Sequence, residues 1–134
     1  IPHPRLLPDD PFERARAREL VQIINSGVHP LQNTIVRLAV SPDPEAQRAW
    51  CARWIERGLA AYEVHVARHG GRFSLGDEVT MPDLFLVPQI RNARRHSADV
   101  SGCPRVLGIY AACLETPEAS STRPSAVAPP PALP

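Results

Sequence analysis

The sequence predicts an all-α domain of about five helices. Apolar residues recur three and four positions apart in successive segments, the spacing of one helix face. Clusters containing Gly and Pro separate those segments, as expected of turns between helices. The stretch 75–96, LGDEVTMPDLFLVPQIRNARRH, adds a third signal: a turn, a marked helix start, an apolar face and a group of arginines. It is expected to be the central helix.

The first helix should begin at Pro11, capped by Asp9 or Asp10 and with Glu13 in its first turn. Its apolar residues are Phe12, Ala15, Leu20, Ile23 and Ile24, and Asn25, Ser26 and Gly27 stop it. Arg14, Arg16 and Arg18 read as a solvated face. His29 and Pro30 make a break, with His29 held extended by the proline that follows it. Leu31, Ile35, Leu38 and Ala39 mark a second helix, closed by the Ser41, Pro42, Asp43, Pro44 turn. A long third helix runs from about Pro44 to His69, with Trp50, Trp54, Leu59, Ala61, Tyr62 and Val66 as its core stripe. Gly58, between Glu56 and Ala60, marks a place of close packing. Gly70 and Gly71 end this helix, and Phe73 and Leu75 are expected to be buried in the return.

In the central helix, Thr80 is the N-cap, and Asp83 three residues on completes a capping box. Val79 and Leu84 hold the positions of a hydrophobic staple, and Pro82 costs nothing in the first turn. Leu84, Phe85, Val87 and Pro88 read as buried, with Pro88 bending the helix. Arg91, Arg94 and Arg95 suit the helix C-terminus. Residues 99–104 form a turn, and Val106, Ile109, Tyr110, Cys113 and Leu114 form a last helix.

Composition bounds the function. The chain has 134 residues, enough for one domain with a real core, and 43% hydrophobic residues, ordinary for a globular protein. A formal net charge of +1 argues against bulk capture of nucleic acid. All 15 basic residues are Arg, which reads as codon usage. The three cysteines Cys51, Cys103 and Cys113 are odd in number and not at metal-ligand spacing, as in a reduced cytosolic protein. No apolar run reaches membrane-spanning length, and no signal-peptide pattern, internal repeat or Gly-rich phosphate loop is present. The opening IPHPRLLPDD, residues 1–10, reads as an interdomain linker, so the sequence is expected to be the C-terminal part of a longer protein. Residues 11–114 would be the helical domain. Residues 115–134, rich in Pro, Ser and Ala, would be a disordered tail.

Three segments carry a resemblance. PRLLPDDPFERARAR, then GVHPLQN, then GDEVTMPDLFLVPQIRNARR resemble, in that order, the C-terminal helical domain of the zeta-class glutathione S-transferases. HPLQN together with VPQxxNAxR points to that class, and the match runs from about residue 4 to residue 114. The resemblance implies a glutathione S-transferase C-terminal-like bundle whose N-terminal thioredoxin-like domain is absent here. It implies a glutathione-dependent cis–trans isomerisation of a maleyl dicarboxylate in aromatic-compound or tyrosine breakdown, by a cytoplasmic homodimer. Catalytic residues that activate the thiol would belong to the thioredoxin-like half, and this fragment alone would be inactive. Two other readings are a general transferase conjugating small electrophiles and a non-catalytic helical interaction domain.

The resemblance also assigns site residues. Arg95 matches the family's substrate-carboxylate arginine; its planar fork suits a carboxylate, and the alternative is a helix-end arginine satisfying carbonyls and the dipole. His29, Asn33, Thr34 and Ile35 match positions that contact glutathione, Ile35 only through its backbone because its side chain is apolar. For His29 the alternative is a local hydrogen-bonding role at a helix break. Asp83 reads as a cap, and the tryptophans and cysteines as core.

Overall fold

A computed structural model describes residues 5–121 of the chain. It holds six α-helices and one 3₁₀ turn, and among the described residues there is no strand, only an isolated bridge between Gly70 and Gly76. The helices are α1 (Pro11–Asn25), α2 (Thr34–Val40), α3 (Pro44–His69), α4 (Met81–Arg95), α5 (Pro104–Leu114) and α6 (Pro117–Ser121). Helix α4 lies in the middle, packed on α1, α3 and α5, and α3 runs along α1, α2 and α5.

Side-chain caps set the starts. Asp10 accepts from the N–H groups of Phe12 and Glu13 to open α1. Asp43 accepts from Glu45 and Ala46 to open the 26-residue α3. Each is followed by Pro at the first helical position, where no donor is lost. The α4 capping box forms as the sequence predicts. Helix α5 begins at Cys103 without a side-chain cap of its own. Glu63 of α3 supplies the cap instead, accepting from Arg105 N–H at 3.0 Å and Val106 N–H at 2.8 Å. The loop before α5 is tied the same way, Asp99 N–H donating to Glu56 at 2.8 Å.

The second expected helix divides. Residues His29–Gln32 form the 3₁₀ turn, so His29 opens a turn and does not stand in an extended segment. Asn33 ends that turn and caps α2 through a bond to Ile35 N–H. Helix α2 buries no residue, and Ile35 and Leu38 are exposed.

The core draws on α1, α3, α4 and α5; Val106, Ile109, Tyr110 and Cys113 of α5 are buried as expected, as are Leu59, Tyr62 and Val66 of α3, while the first half of α3 and α4 turn a different face inward. In α3 the buried stripe is Cys51, Ile55, Leu59, Tyr62 and Val66, with Trp50 and Trp54 half-buried beside it and Ala61 exposed. The two indoles meet edge-on, and Trp50 donates to Leu31 O at 2.9 Å, a polar use that holds its ring at the margin of the core. In α4 the buried residues are Pro82, Asp83, Leu86, Gln89, Ile90 and Ala93, while Leu84 and Pro88 are exposed and Phe85 and Val87 half-buried. Two polar side chains on the buried face, Asp83 with both oxygens bonded and Gln89 held through its Oε1, account for the misplaced stripe. Phe12 of α1 is likewise exposed.

Gly58 faces Val28, and a Cβ there would lie 2.2 Å from Val28 Cγ2, so α3 and the end of α1 meet where only glycine fits. Helix α4 ends in a Schellman motif: Ala98 N–H reaches Ala93 O at 3.0 Å and Ser97 N–H reaches Arg94 O at 3.2 Å. Ser97 takes the left-handed conformation, φ 56°, usually left to Gly.

The segment 5–10 is fastened to the bundle. Met81 N–H donates to Leu6 O at 2.8 Å, and Arg14 donates to the carbonyls of Pro8 and Asp9. Helix α6 falls in the stretch that composition marks as tail. Residues 1–4 of the expected linker and 122–134 of the expected tail lie outside the described residues.

Candidate functional site

The C-terminal half of α4 and the 3₁₀ turn border an open cleft of about 360 Å³, lined by His29, Pro88, Gln89, Arg91, Asn92 and Arg95. The helical period places Pro88, Arg91, Asn92 and Arg95 on one face, at i, i+3, i+4 and i+7. Buried Leu86, Ile90 and Ala93 anchor the opposite face in the core. The cation-bearing face is therefore fixed by packing, and the Schellman stop fixes where Arg95 leaves it.

His29 reaches the cleft because Val28, its neighbour, is fully buried and pins the start of the turn. Its ring stacks on Phe85 with centroids 6.3 Å apart and planes 25° from parallel. Arg91 and Arg95 are exposed, and neither forms an ion pair with a carboxylate among the described residues. Arg94, by contrast, turns away and stacks over the Tyr110 ring at 5.0 Å. Beyond Arg95 the positive field continues. Burial lowers the pKa of His96, and the charges of Arg37, Arg95 and Arg48 lower it further.

His29 and Arg95 are thus brought to one cleft. Asn33, Thr34 and Ile35 are exposed and lie outside its lining. Asn33 is occupied as the α2 cap, and Thr34 Oγ1 accepts from Arg37 at 3.0 Å. Arg91 and Pro88 also border a larger groove of about 1130 Å³, whose apolar wall includes Leu6, Phe73, Val79, Leu84, Val87 and Leu114.

No protein-family model matches the chain. It is 41% identical over 124 residues to probable maleylacetoacetate isomerase 1 of Drosophila melanogaster, an alignment covering 92% of this chain and 50% of that protein. The chain spans about half the length of the curated relatives it matches. A maleylacetoacetate isomerase of Anaeromyxobacter dehalogenans, solved with glutathione in its active site, superposes with a TM-score of 0.88 at 39% identity, covering 94% of this chain and 59% of that one. The maleylpyruvate isomerase of Pseudomonas aeruginosa superposes with a TM-score of 0.87 at 35% identity, and here 94% of this chain covers 69% of the other. The chain belongs to the zeta-class glutathione S-transferase family.

In this zeta-class chain no side chain of its own supplies a reactive thiolate. Cys51, Cys103 and Cys113 are buried and reduced. Burial raises all three thiol pKa values, and for Cys113 burial together with the nearby Asp83 charge pushes it up to about 12. Tyr62 is also pushed up by burial and donates or accepts only within the core, against Ser74 Oγ at 2.8 Å. What the zeta-class helical domain presents is cationic and amide chemistry. Sequence reasoning missed the amide part: Gln32 Nε2 donates to Gln89 Oε1 at 3.3 Å, and Asn92 Nδ2 donates to Gln32 Oε1. Gln32 and Asn92 stand in the HPLQN and NAxR segments, but which of their neighbours they touch depends on how the turn folds onto α4.

Proposed function

We propose that this chain is the helical half of a glutathione-dependent cis–trans isomerase acting on a maleyl-type dicarboxylate, maleylacetoacetate or maleylpyruvate. The observation that carries the reading is the cleft of α4, where the exposed Arg95 guanidinium has neither a carboxylate nor a carbonyl to satisfy it among the described residues. The helix-end alternative for Arg95 is left with the helix dipole alone. Family membership supplies the reaction class.

The donor set fits carboxylates. A guanidinium can hold one through two parallel hydrogen bonds. Arg91 adds a second guanidinium and His29 a ring N–H around it. Arg95 would hold the diacid at one end and so fix its double bond relative to the rest of the protein. The cationic wall would favour charge that develops on the dioxo portion during reaction. Glutathione supplies the nucleophilic thiol that this chain lacks. His29 would face it from the 3₁₀ turn, and Asn33, Thr34 and Ile35 would meet it from the exposed start of α2. Activation of the thiol falls to a thioredoxin-like N-terminal domain in the part of the relatives' length that this chain does not span.

The expected assay result is glutathione-dependent isomerisation of one maleyl substrate by the full-length protein. Arg95→Ala should raise KM at least about tenfold, the worth of one charge-assisted contact, with an unchanged melting temperature. Full activity in that variant would remove Arg95 from the site.

The whole protein would act as a cytoplasmic homodimer in the breakdown of aromatic compounds or tyrosine. The exposed Ile35 and Leu38 on α2, 78% and 60% accessible, support a second copy as a partner. Sedimentation of the full-length protein should give twice the monomer mass, and a monomer at micromolar concentration would reject the pairing.

A further inference from the structure

We propose that Gln89 is a ligand-contacting residue of the cleft, its side-chain N–H held ready for an inward-pointing oxygen of the bound dicarboxylate. This deepens the reading of the cleft as a dicarboxylate site and rests on it. Three observations converge on the residue. Gln89 lines the cleft, yet its side chain is almost fully buried, at 1% exposure. Its Oε1 is engaged by Gln32 Nε2. Its Nε2 is buried and has no hydrogen-bond partner.

A primary amide has one acceptor end and one donor end. Asn92, Gln32 and Gln89 are linked head to tail, so the direction at one end of the relay dictates the direction at the other. Asn92 stands between Arg91 and Arg95 on the cleft wall. Beside two guanidinium groups the amide oxygen is favoured over the amide N–H₂, which leaves the Asn92 Nδ2 to donate inward to Gln32. The relay then ends on Gln89 Oε1 and leaves Gln89 Nε2 as its terminal donor. Reversing Gln89 alone would set two N–H₂ groups against each other.

A buried donor without an acceptor is costly and rare, and a functional site is where such a group persists. Gln89 sits on the seam between the packed face of α4 and the face that carries Arg91, Asn92 and Arg95. Helical side chains lean toward the helix N-terminus, so Arg95 is directed back over the turn that carries Arg91 and Asn92, whose amide leads through Gln32 to Gln89. A diacid with one carboxylate on Arg95 would present its next oxygen to the wall that Gln89 lines, and the Gln89 amide would turn its unpaired N–H outward to meet it. Gln32 and Asn92 are then positioning residues, acting through Gln89. The arrangement favours a ligand with two oxygen-bearing ends, one for Arg95 and one for Gln89.

The test uses ¹⁵N-labelled protein and malonate as the probe. The Gln89 side-chain amide pair is assigned by its loss in Gln89→Met, and the Arg95 Nε signal by its loss in Arg95→Lys. On titration, one Gln89 N–H should move downfield and saturate together with Arg95 Nε, while acetate moves Arg95 Nε alone. Gln89→Met should weaken malonate binding roughly tenfold, the loss of about one hydrogen bond to a charged group, with its melting temperature held. Two results would overturn the assignment while leaving the cleft reading intact: a Gln89 signal that stays still as Arg95 Nε shifts, or wild-type affinity in Gln89→Met. If neither signal moves with malonate, the dicarboxylate reading of the cleft falls and the Gln89 inference falls with it. Should Gln89→Met fold poorly, triple-resonance assignment of the Gln89 side-chain amide in the wild-type protein lets its shift decide the matter.

Discussion

Asp83 is 1% exposed, and each of its oxygens is committed. Oδ1 accepts from Ser74 N–H at 2.9 Å; Oδ2 accepts from Thr80 N–H at 2.8 Å and from the Thr80 hydroxyl at 3.1 Å. The carboxylate closes the first turn of α4 and ties it to the return from α3. Removing it leaves several donors buried without an acceptor, which costs about 1–3 kcal/mol each before relaxation. Asp83→Ala should therefore lower stability by about 2–4 kcal/mol in urea unfolding; a loss below about 1 kcal/mol, the worth of a simple cap, would mean that the Ser74 bond contributes nothing. At this scale the sequence is readable where the interaction is local. Thr80 and Asp83 are three residues apart, so their box can be seen in the sequence. The Ser74 bond depends on the path of the loop, and the Gln32–Gln89–Asn92 relay joins residues 57 and 60 positions apart, so neither has a local signature.

Helices α1 and α3 have the starts that their Asp–Pro pairs announce, and α3 spans the predicted residues. Their ends and caps are written in the side chains that make them. The buried faces are less legible. A stripe is inferred by maximising apolar character, and α4 offers two. Leu84, Phe85 and Val87 are the more apolar set, but Asp83 turns inward because bonded neighbours take up its polarity, and Gln89 is held inward by the Gln32 bond to its Oε1. Leu84 is left on the wall of the large groove. In α3 the indole N–H of Trp50 wants an acceptor, and Leu31 O at the margin supplies it, so Cys51 and Ile55 occupy the centre instead.

The end of α4 makes a prediction about pH. Burial, and then the charges of Arg37, Arg95 and Arg48, hold the folded His96 pKa below its ordinary 6.5. The unfolded chain thus binds the proton more readily. The histidine's contribution to stability is complete above about pH 6.5 and declines as the pH falls below it toward the lower folded value. Between about pH 7 and pH 5 the melting temperature should fall less steeply in His96→Gln than in the wild type. Equal slopes would place His96 in a more open, less cationic setting.

For the molecule as a whole, the all-α class and the order of helices follow from period and punctuation, and family membership agrees with both. The cleft is a property of assembly. It exists because His29 and Gln32 of the 3₁₀ turn reach α4 through their side chains, and the division of the second helix at Asn33 gives that turn its place. HPLQN marks the place, since a proline followed by a helix-capping Asn interrupts a continuous helix. The cationic composition of the cleft was visible in NARR; the amide floor was not, because a glutamine in a helix ordinarily reads as solvated surface.

The three interior cysteines give the protein a clock of its own opening. Cys51 lies in the middle of α3, Cys103 at the threshold of α5 and Cys113 near the end of α5, each at most 5% accessible. A disulfide reagent meets these sulfurs only when the structure around them parts, so the labelling rate at each site counts local openings without any added probe. The expected sequence is Cys103 and Cys113 first, by fraying of α5, and Cys51 last, with the global unfolding of the core. Mass spectrometry of peptides from partially labelled protein reads the order, and simultaneous labelling of all three would show that α5 and α3 open as one unit.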